Sequence, residues 1–130
     1  MARYVDGYVL PVPKKNVAAY RRMAQKAAKV WMDHGALEYR ECVGDDLHTV
    51  ATEKGTKKVR GVPPFGRGVR LKSGETVVFS WIVFKSKSDR NRVNARVMKD
   101  PRIAAMMEGE KMPFDVKRML YGGFRVIVEA

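Results

Sequence analysis

The sequence predicts an α+β domain, a ferredoxin-like β-α-β-β-α-β sandwich with an antiparallel sheet. Three observations predict it. Stretches of strand-like alternation and of helical spacing follow one another as strand, helix, strand, strand, helix, strand. The strand at 77–84 is apolar on both faces, as a strand covered on both sides must be. The length of 130 residues suits one domain with one core. Residues 1–130 therefore read as a single domain carrying a long basic loop at about 47–74.

Residues 3–10 are aromatic and β-branched, as a strand prefers. Pro11 and Pro13 are expected to end it, because each removes a ladder donor. Over 14–34, Val17, Tyr20, Ala24, Ala27, Trp31 and His34 recur at helical spacing and form one face. Gly35 follows where a helix stops in a left-handed turn. Residues 36–46 read as a second strand. Leu37, Tyr39, Glu41 and Val43 share one face, and Glu38, Arg40 and Cys42 the other, a more polar set suited to an edge. Residues 47–74 are irregular and rich in Gly, Lys and Arg, with 49–52 and 69–71 as candidate hairpin strands.

Residues 75–85 are the strongest strand. Val77, Phe79, Trp81 and Val83 face one way, and Val78, Ser80, Ile82 and Phe84 the other. Ser86 with Asp89 three residues on resembles a capping box, opening a helix over 87–99. Asp100 and Pro101 open a short third helix whose apolar side is Ile103, Met106 and Met107. Residues 117–129 are strand-like, and Gly122-Gly123 marks a bulge or a turn. In this pattern the first and third strands are central and both helices cover one face. The other face is left apolar, and a second copy packing sheet against sheet is the simplest cover.

The hydrophobic fraction of 45% and charged fraction of 31% are those of a globular chain. No apolar run approaches the roughly 18–20 residues that span a bilayer, so no membrane partner is expected. The opening residues lack a secretory pattern, and a cytoplasmic location is expected. Cys42 is the lone cysteine and is expected to be inert. With only His34 and His48 beside it, neither a metal site nor a cofactor is expected. The net charge of +12 favours an acidic partner such as nucleic acid. Within the loop, Lys54, Lys57, Lys58, Arg60, Arg67, Arg70 and Lys72 stand against Glu53 alone and are the residues that would carry such binding. Against it, the strand at 75–84 lacks the Gly-aromatic motif with which RNA-recognition sheets stack bases.

A pocket between sheet and helices, binding or transforming a small molecule, is the other reading. His34, ending a helical face beside Trp31, suits a general base as well as a C-terminal capping residue. Asp6 interrupts an apolar strand and needs donors, for which Ser80, Arg118, Arg125 and His34 are in reach. Asp6 and His34 are thus the catalytic candidates, with Trp81, Trp31 and Arg118 as pocket residues. The methionines Met98, Met106, Met107, Met112 and Met119 suit an irregular core or an adaptable pocket. A dimer without chemistry is the third possibility.

Residues 4–13 (Tyr-Val-Asp-Gly-Tyr-Val-Leu-Pro-Val-Pro), 31–39 (Trp-Met-Asp-His-Gly-Ala-Leu-Glu-Tyr) and 41–46 (Glu-Cys-Val-Gly-Asp-Asp) carry a resemblance. So do 75–82 (Glu-Thr-Val-Val-Phe-Ser-Trp-Ile), 97–102 (Val-Met-Lys-Asp-Pro-Arg), 112–115 (Met-Pro-Phe-Asp) and 121–124 (Tyr-Gly-Gly-Phe). Together they resemble the YbaA-like family of small bacterial proteins of unknown function. The resemblance runs over nearly the whole chain and is weakest at 48–72. It implies a homodimer forming an α/β-barrel from ferredoxin-like halves, and no established activity. Relatives by fold include cofactor-free monooxygenases, but fold does not imply function.

Overall fold

The computed structural model describes residues 2–109 and 111–130. Its elements run β1 (Tyr4–Pro13), α1 (Val17–Asp33), β2 (Glu38–Val43), β3 (Val50–Thr52), β4 (Gly55–Lys57), β5 (Glu75–Phe84), α2 (Lys87–Met98), α3 (Pro101–Gly109) and β6 (Leu120–Arg125). Four strands form one antiparallel sheet in the order β2-β5-β1-β6. The two-faced β5 therefore lies beside β1 in the centre, and β2 takes an edge, as its more polar composition requires.

The prolines do not end β1. Lys14 N–H bonds the Gly74 carbonyl on the β5 side, and Val126 N–H bonds the Arg3 carbonyl on the β6 side. By alternation, even residues of β1 face β5 and odd residues face β6. Pairing with β6 stops at Val9. Pro11 and Pro13 belong to the odd set beyond that point, where no ladder donor is called for, and the strand continues to Pro13. In β6, Gly122 and Gly123 hold regular register opposite Gly7 and Asp6, so they mark neither a bulge nor a turn.

The long helix begins later than its pattern suggests, after a single 3-10 turn over Lys14–Asn16. It ends at Asp33, and Gly35 just beyond it, with a φ of +116°, is the left-handed stop. Ser86 Oγ accepts from Asp89 N–H at 3.1 Å and opens α2. Asp100 Oδ1 accepts from Arg102 N–H at 2.9 Å and opens α3.

The helices cover one face of the sheet. Leu10, Val12 and Val78 pack with Tyr20 and Ala24 of α1. Ile82 and Phe84 pack with Ala27, Val30, Val93, Val97 and Ile103. Each of the larger side chains, the valines, leucine, isoleucines and Phe84, contributes about 1.5–3 kcal/mol by leaving water. The opposite face has no helix. Val5, Val9, Phe79, Trp81, Val83, Leu120 and Phe124 line a shallow concavity of about 640 Å³ there. Phe79 and Phe124 on this face are 47% and 60% exposed, a large apolar area to leave open to water. Gly7 and Gly122 pair under the Phe124 ring, and a Cβ on Gly7 would stand 3.2 Å from it.

The long loop contains a hairpin, but not the expected one. Val50–Thr52 pairs with Gly55–Lys57. Residues 69–71 form no strand; Val69 closes a 3-10 turn over Phe65–Val69 instead. Phe65 from that turn lies edge-on to Phe79, at 6.4 Å between ring centroids, at the rim of the uncovered face.

Candidate functional site

Between the helix-covered face and the helices lies a cleft of about 300 Å³. Its floor is Tyr8 and Leu10 of β1, Tyr39 and Glu41 of β2, and Ser80 and Ile82 of β5. Its walls are the apolar face of α1, the end of α2, α3, and the segment at 112–119. Met23, Met98, Met106, Met107, Met112 and Met119, six of the chain's eight methionines, converge on it. The volume falls at the small end of ligand clefts, and unbranched thioethers give it adaptable walls.

Polar groups in the cleft are few, and one cluster dominates. Glu41 stands on the inward face of β2, beside Tyr39 in the alternation of that strand. Tyr20 donates its hydroxyl to Glu41 Oε1 at 2.7 Å, and Tyr39 donates to Oε2 at 2.7 Å. Burial, then the adjacent Glu41 charge, pushes the pKa of both phenols well above the ordinary tyrosine value. Both hydroxyls therefore remain protonated donors at neutral pH. Tyr8 is raised for the same first reason, burial, with Asp6 as its next cause. Glu41, Tyr20, Tyr39 and Ala24 also form the wall between this cleft and an outer groove of about 500 Å³ along α1 and β2.

Of the catalytic and pocket candidates Asp6, His34, Trp81, Trp31 and Arg118, Trp31 alone lines this cleft, joined there by Met98, Met106, Met107, Met112 and Met119, which the sequence also pointed to. Its indole Nε1 donates to Asn94 Oδ1 at 2.9 Å. Asp6 is wholly buried next to the site and does not line it. Its partners are not the expected Ser80, Arg118, Arg125 or His34. Arg90 Nε donates to Oδ1 at 2.9 Å, and Asn94 Nδ2 and Tyr121 Oη donate to Oδ2 at 2.9 and 3.1 Å. Arg90 also lies 4.8 Å over the Tyr4 ring. Sequence reasoning placed donors on neighbouring strands, but the donors came mainly from the helix overhead. Gly123, opposite Asp6 in the register, makes the space: a Cβ there would collide with the Arg90 guanidinium and stand 2.6 Å from the Tyr4 hydroxyl.

His34 lies elsewhere, at the junction of α1 with α3. Its Nε2 is 2.8 Å from Asp100 Oδ2. Arg102 and then His34 hold the Asp100 carboxyl well below the usual carboxylate range. Trp81 faces the uncovered side of the sheet, donates Nε1 to Glu38 Oε2 at 2.8 Å and meets Phe79 edge-on. Arg118 braces the start of β5, donating to Glu75 Oε2 at 2.6 Å and to the Arg70 carbonyl at 2.8 Å. Lys54, Lys57, Lys58, Arg60, Arg67, Arg70 and Lys72 are all exposed on the loop. Among the described residues no group of three or more His, Cys, Asp or Glu is placed to hold a metal ion, and no helix is long and apolar enough to cross a membrane.

The sheet order and one-sided helix layer define a ferredoxin-like α+β protein, and solved structures agree at the level of fold. A NIPSNAP family protein of unknown function from Agrobacterium tumefaciens superposes with a TM-score of 0.56 at 13% identity, over 96% of this chain and 88% of that one. A dimeric ferredoxin-like protein from an uncultured marine organism gives 0.54 at 10% identity, over the whole of both chains. By sequence, residues 3–116 match the family described as protein of unknown function (DUF1428). The chain is 43% identical over 127 residues to the uncharacterized protein YbaA of Escherichia coli K12, covering 98% of each, and equally to that of Shigella flexneri. The chain belongs to the DUF1428 family.

Asp6 can be tested by substitution. Asp6→Leu leaves Arg90 and Asn94 facing an apolar group and should cost about 3–5 kcal/mol. Asp6→Asn keeps part of the network and should cost about 1–2 kcal/mol. Gly123→Ala, which displaces Arg90, should cost about 1–3 kcal/mol by overpacking. Urea midpoints at constant m-value read all three. Equal losses for the Asn and Leu variants would contradict a hydrogen-bonded carboxylate.

Proposed function

We propose that this chain works as a homodimer, closed sheet against sheet into an α/β-barrel, in which each subunit binds a small, largely apolar molecule in the cleft between sheet and helices. The observation that carries the ligand reading is the convergence of six methionines on a cleft that is also lined by three phenols and one carboxylate. Apolar walls with a few directed polar groups are what small-molecule sites have in common. Methionines also fill irregular cores, but Met98 and Met107 are 57% and 69% exposed, so this set borders an opening.

The dimer reading rests on the uncovered face. Phe79, Leu120 and Phe124 are exposed together with Trp81 and Val83 at their centre, and Ile127 and Val128 just past β6 are also exposed. The marine ferredoxin-like relative by fold is described as dimeric. A second copy covers this apolar face and leaves the helix side, with its cleft, facing outward. The basic loop then lies on the rim of the assembly, where its charge serves solubility or an acidic partner.

Two measurements test these readings. Calorimetric titration with n-octanol should show saturable binding, and Met106→Trp, which fills the cleft, should weaken it at least about tenfold, the loss of a few buried methylenes. Absence of binding, or binding indifferent to Met106→Trp, would contradict the cleft as a site. Sedimentation at micromolar concentration should give a dimer, with dissociation raised about 30-fold or more by Phe124→Lys, the effect of losing a central aromatic worth about 2 kcal/mol or more. A monomeric wild type would contradict the dimer and leave that face open to bases, with the loop lysines and arginines as phosphate contacts.

A further inference from the structure

Six carboxylates among the described residues are buried or half-buried: Asp6, Glu38, Glu41, Glu75, Asp89 and Asp100. Five of them are paired with an arginine: Asp6 with Arg90, Glu38 with Arg40, Glu75 with Arg118, Asp89 with Arg92 and Asp100 with Arg102. Glu41 is the exception. No lysine, arginine or histidine of the described residues lies within ion-pair distance of it, in a chain whose net charge is +12. No basic side chain lines the cleft. Arg21 lines the outer groove on the far side of the shared wall, yet it makes no ion pair with Glu41.

We infer that the ligand of this cleft carries an amine, bound as an ammonium group by Glu41. The inference rests on the reading of the cleft as a ligand site. Its warrant is charge balance at a half-buried carboxylate. A carboxylate held among thioethers and aromatic rings loses hydration, and two neutral phenol donors return only part of it. The two phenols also occupy only part of its capacity, since a carboxylate offers about four lone-pair directions. An ammonium group supplies the missing charge and up to three donors. The faces of Tyr8, Tyr20, Tyr39 and Trp31, which line the same cleft, attract a cation further. The apolar body of the ligand would lie along the methionines of α3 and the segment after it. A neutral alcohol meets the hydrogen-bonding need without the charge, and an anion is repelled.

A set of three probes with one tail separates these cases. Wild-type protein is titrated calorimetrically with n-octylamine, n-octanol and octanoate, below micelle-forming concentrations, near neutral pH and at physiological salt. Octylamine should bind at least about tenfold more tightly than octanol, the margin a charge-assisted hydrogen bond adds, and octanoate should bind weakest. Glu41→Gln keeps the size of the side chain and an acceptor for the phenols, and should bring octylamine and octanol to equal affinity while octanol binding persists. Octanoate binding that survives Met106→Trp is surface binding to the basic exterior and does not count for the cleft. Octanol binding as tightly as octylamine, or a preference that survives Glu41→Gln, overturns the ammonium inference and leaves the cleft reading intact. A preference that emerges only in Arg21→Gln also overturns it, because Arg21 would then be the counter-ion of Glu41. Failure of all three probes removes the cleft reading together with the inference.

Discussion

A carboxylate in the middle of a sheet has to be answered from the layer above it, and that requirement orders the helices here. Asp6 is fully withdrawn from water, and each of its oxygens is met by a donor from α2. Arg90 can reach it because Gly123 puts no side chain in the way. Asn94, while donating to Asp6, accepts from Trp31 of α1. One buried charge thus connects β1, β6, α2 and α1 through hydrogen bonds of about 3 Å, and Trp31 is a wall of the cleft. Buried ion pairs add little net stability compared with apolar replacements of the same shape, so the effect of this one is registry. It fixes how α2 sits on the sheet and hence where α1 and α3 leave space between them.

The two faces of the sheet divide the work. The helix-covered face carries the directed polar groups, Asp6 and Glu41, each on a strand and each among aromatic rings. The other face carries its polar side chains along the edge strand, where Arg40 pairs with Glu38. Trp81, its main polar-tipped side chain, turns its indole N–H to Glu38 on the edge strand. Glycines at Gly7 and Gly122 leave a trough in which the Phe124 ring lies, giving that face a shaped apolar surface. The positive charge lies outside both, on the helix surfaces and on the loop around the β3–β4 hairpin. The arginines nearest the interior each answer an acid there, and among the described residues Glu41 is left as the one inward charge without a counter-ion.

Much of this was legible in the sequence. The alternation of β5, apolar on both sides, placed it in the centre, and the polar half of β2 placed that strand at the edge. The isolated acid in β1 pointed to a buried, hydrogen-bonded Asp6. Two kinds of information were missing. Pairing geometry decides whether a proline interrupts a strand, and the end of β6 opposite Val9 cannot be read from Pro11 or Pro13. Distances between side chains far apart in the chain decide which donor reaches an acid, so Arg90 and Asn94 of α2 could not be told from Arg118. Glu41 was within reach, since it breaks the inward set of β2 as Asp6 breaks that of β1. Its significance depends on what it lacks, and only the positions of all the basic side chains show that.

The central claim is that the methionine-lined space is a ligand site and not loosely filled core. Methionine methyl groups labelled with carbon-13 report on it directly by nuclear magnetic resonance. On titration with n-octylamine, the methyl signals of Met23, Met98, Met106, Met107, Met112 and Met119 should shift together and saturate with one dissociation constant. Met32, exposed on α1 and absent from the cleft wall, should stay in place. Signals that remain unmoved at saturating amine, or that move to the same extent at Met32, would contradict the account.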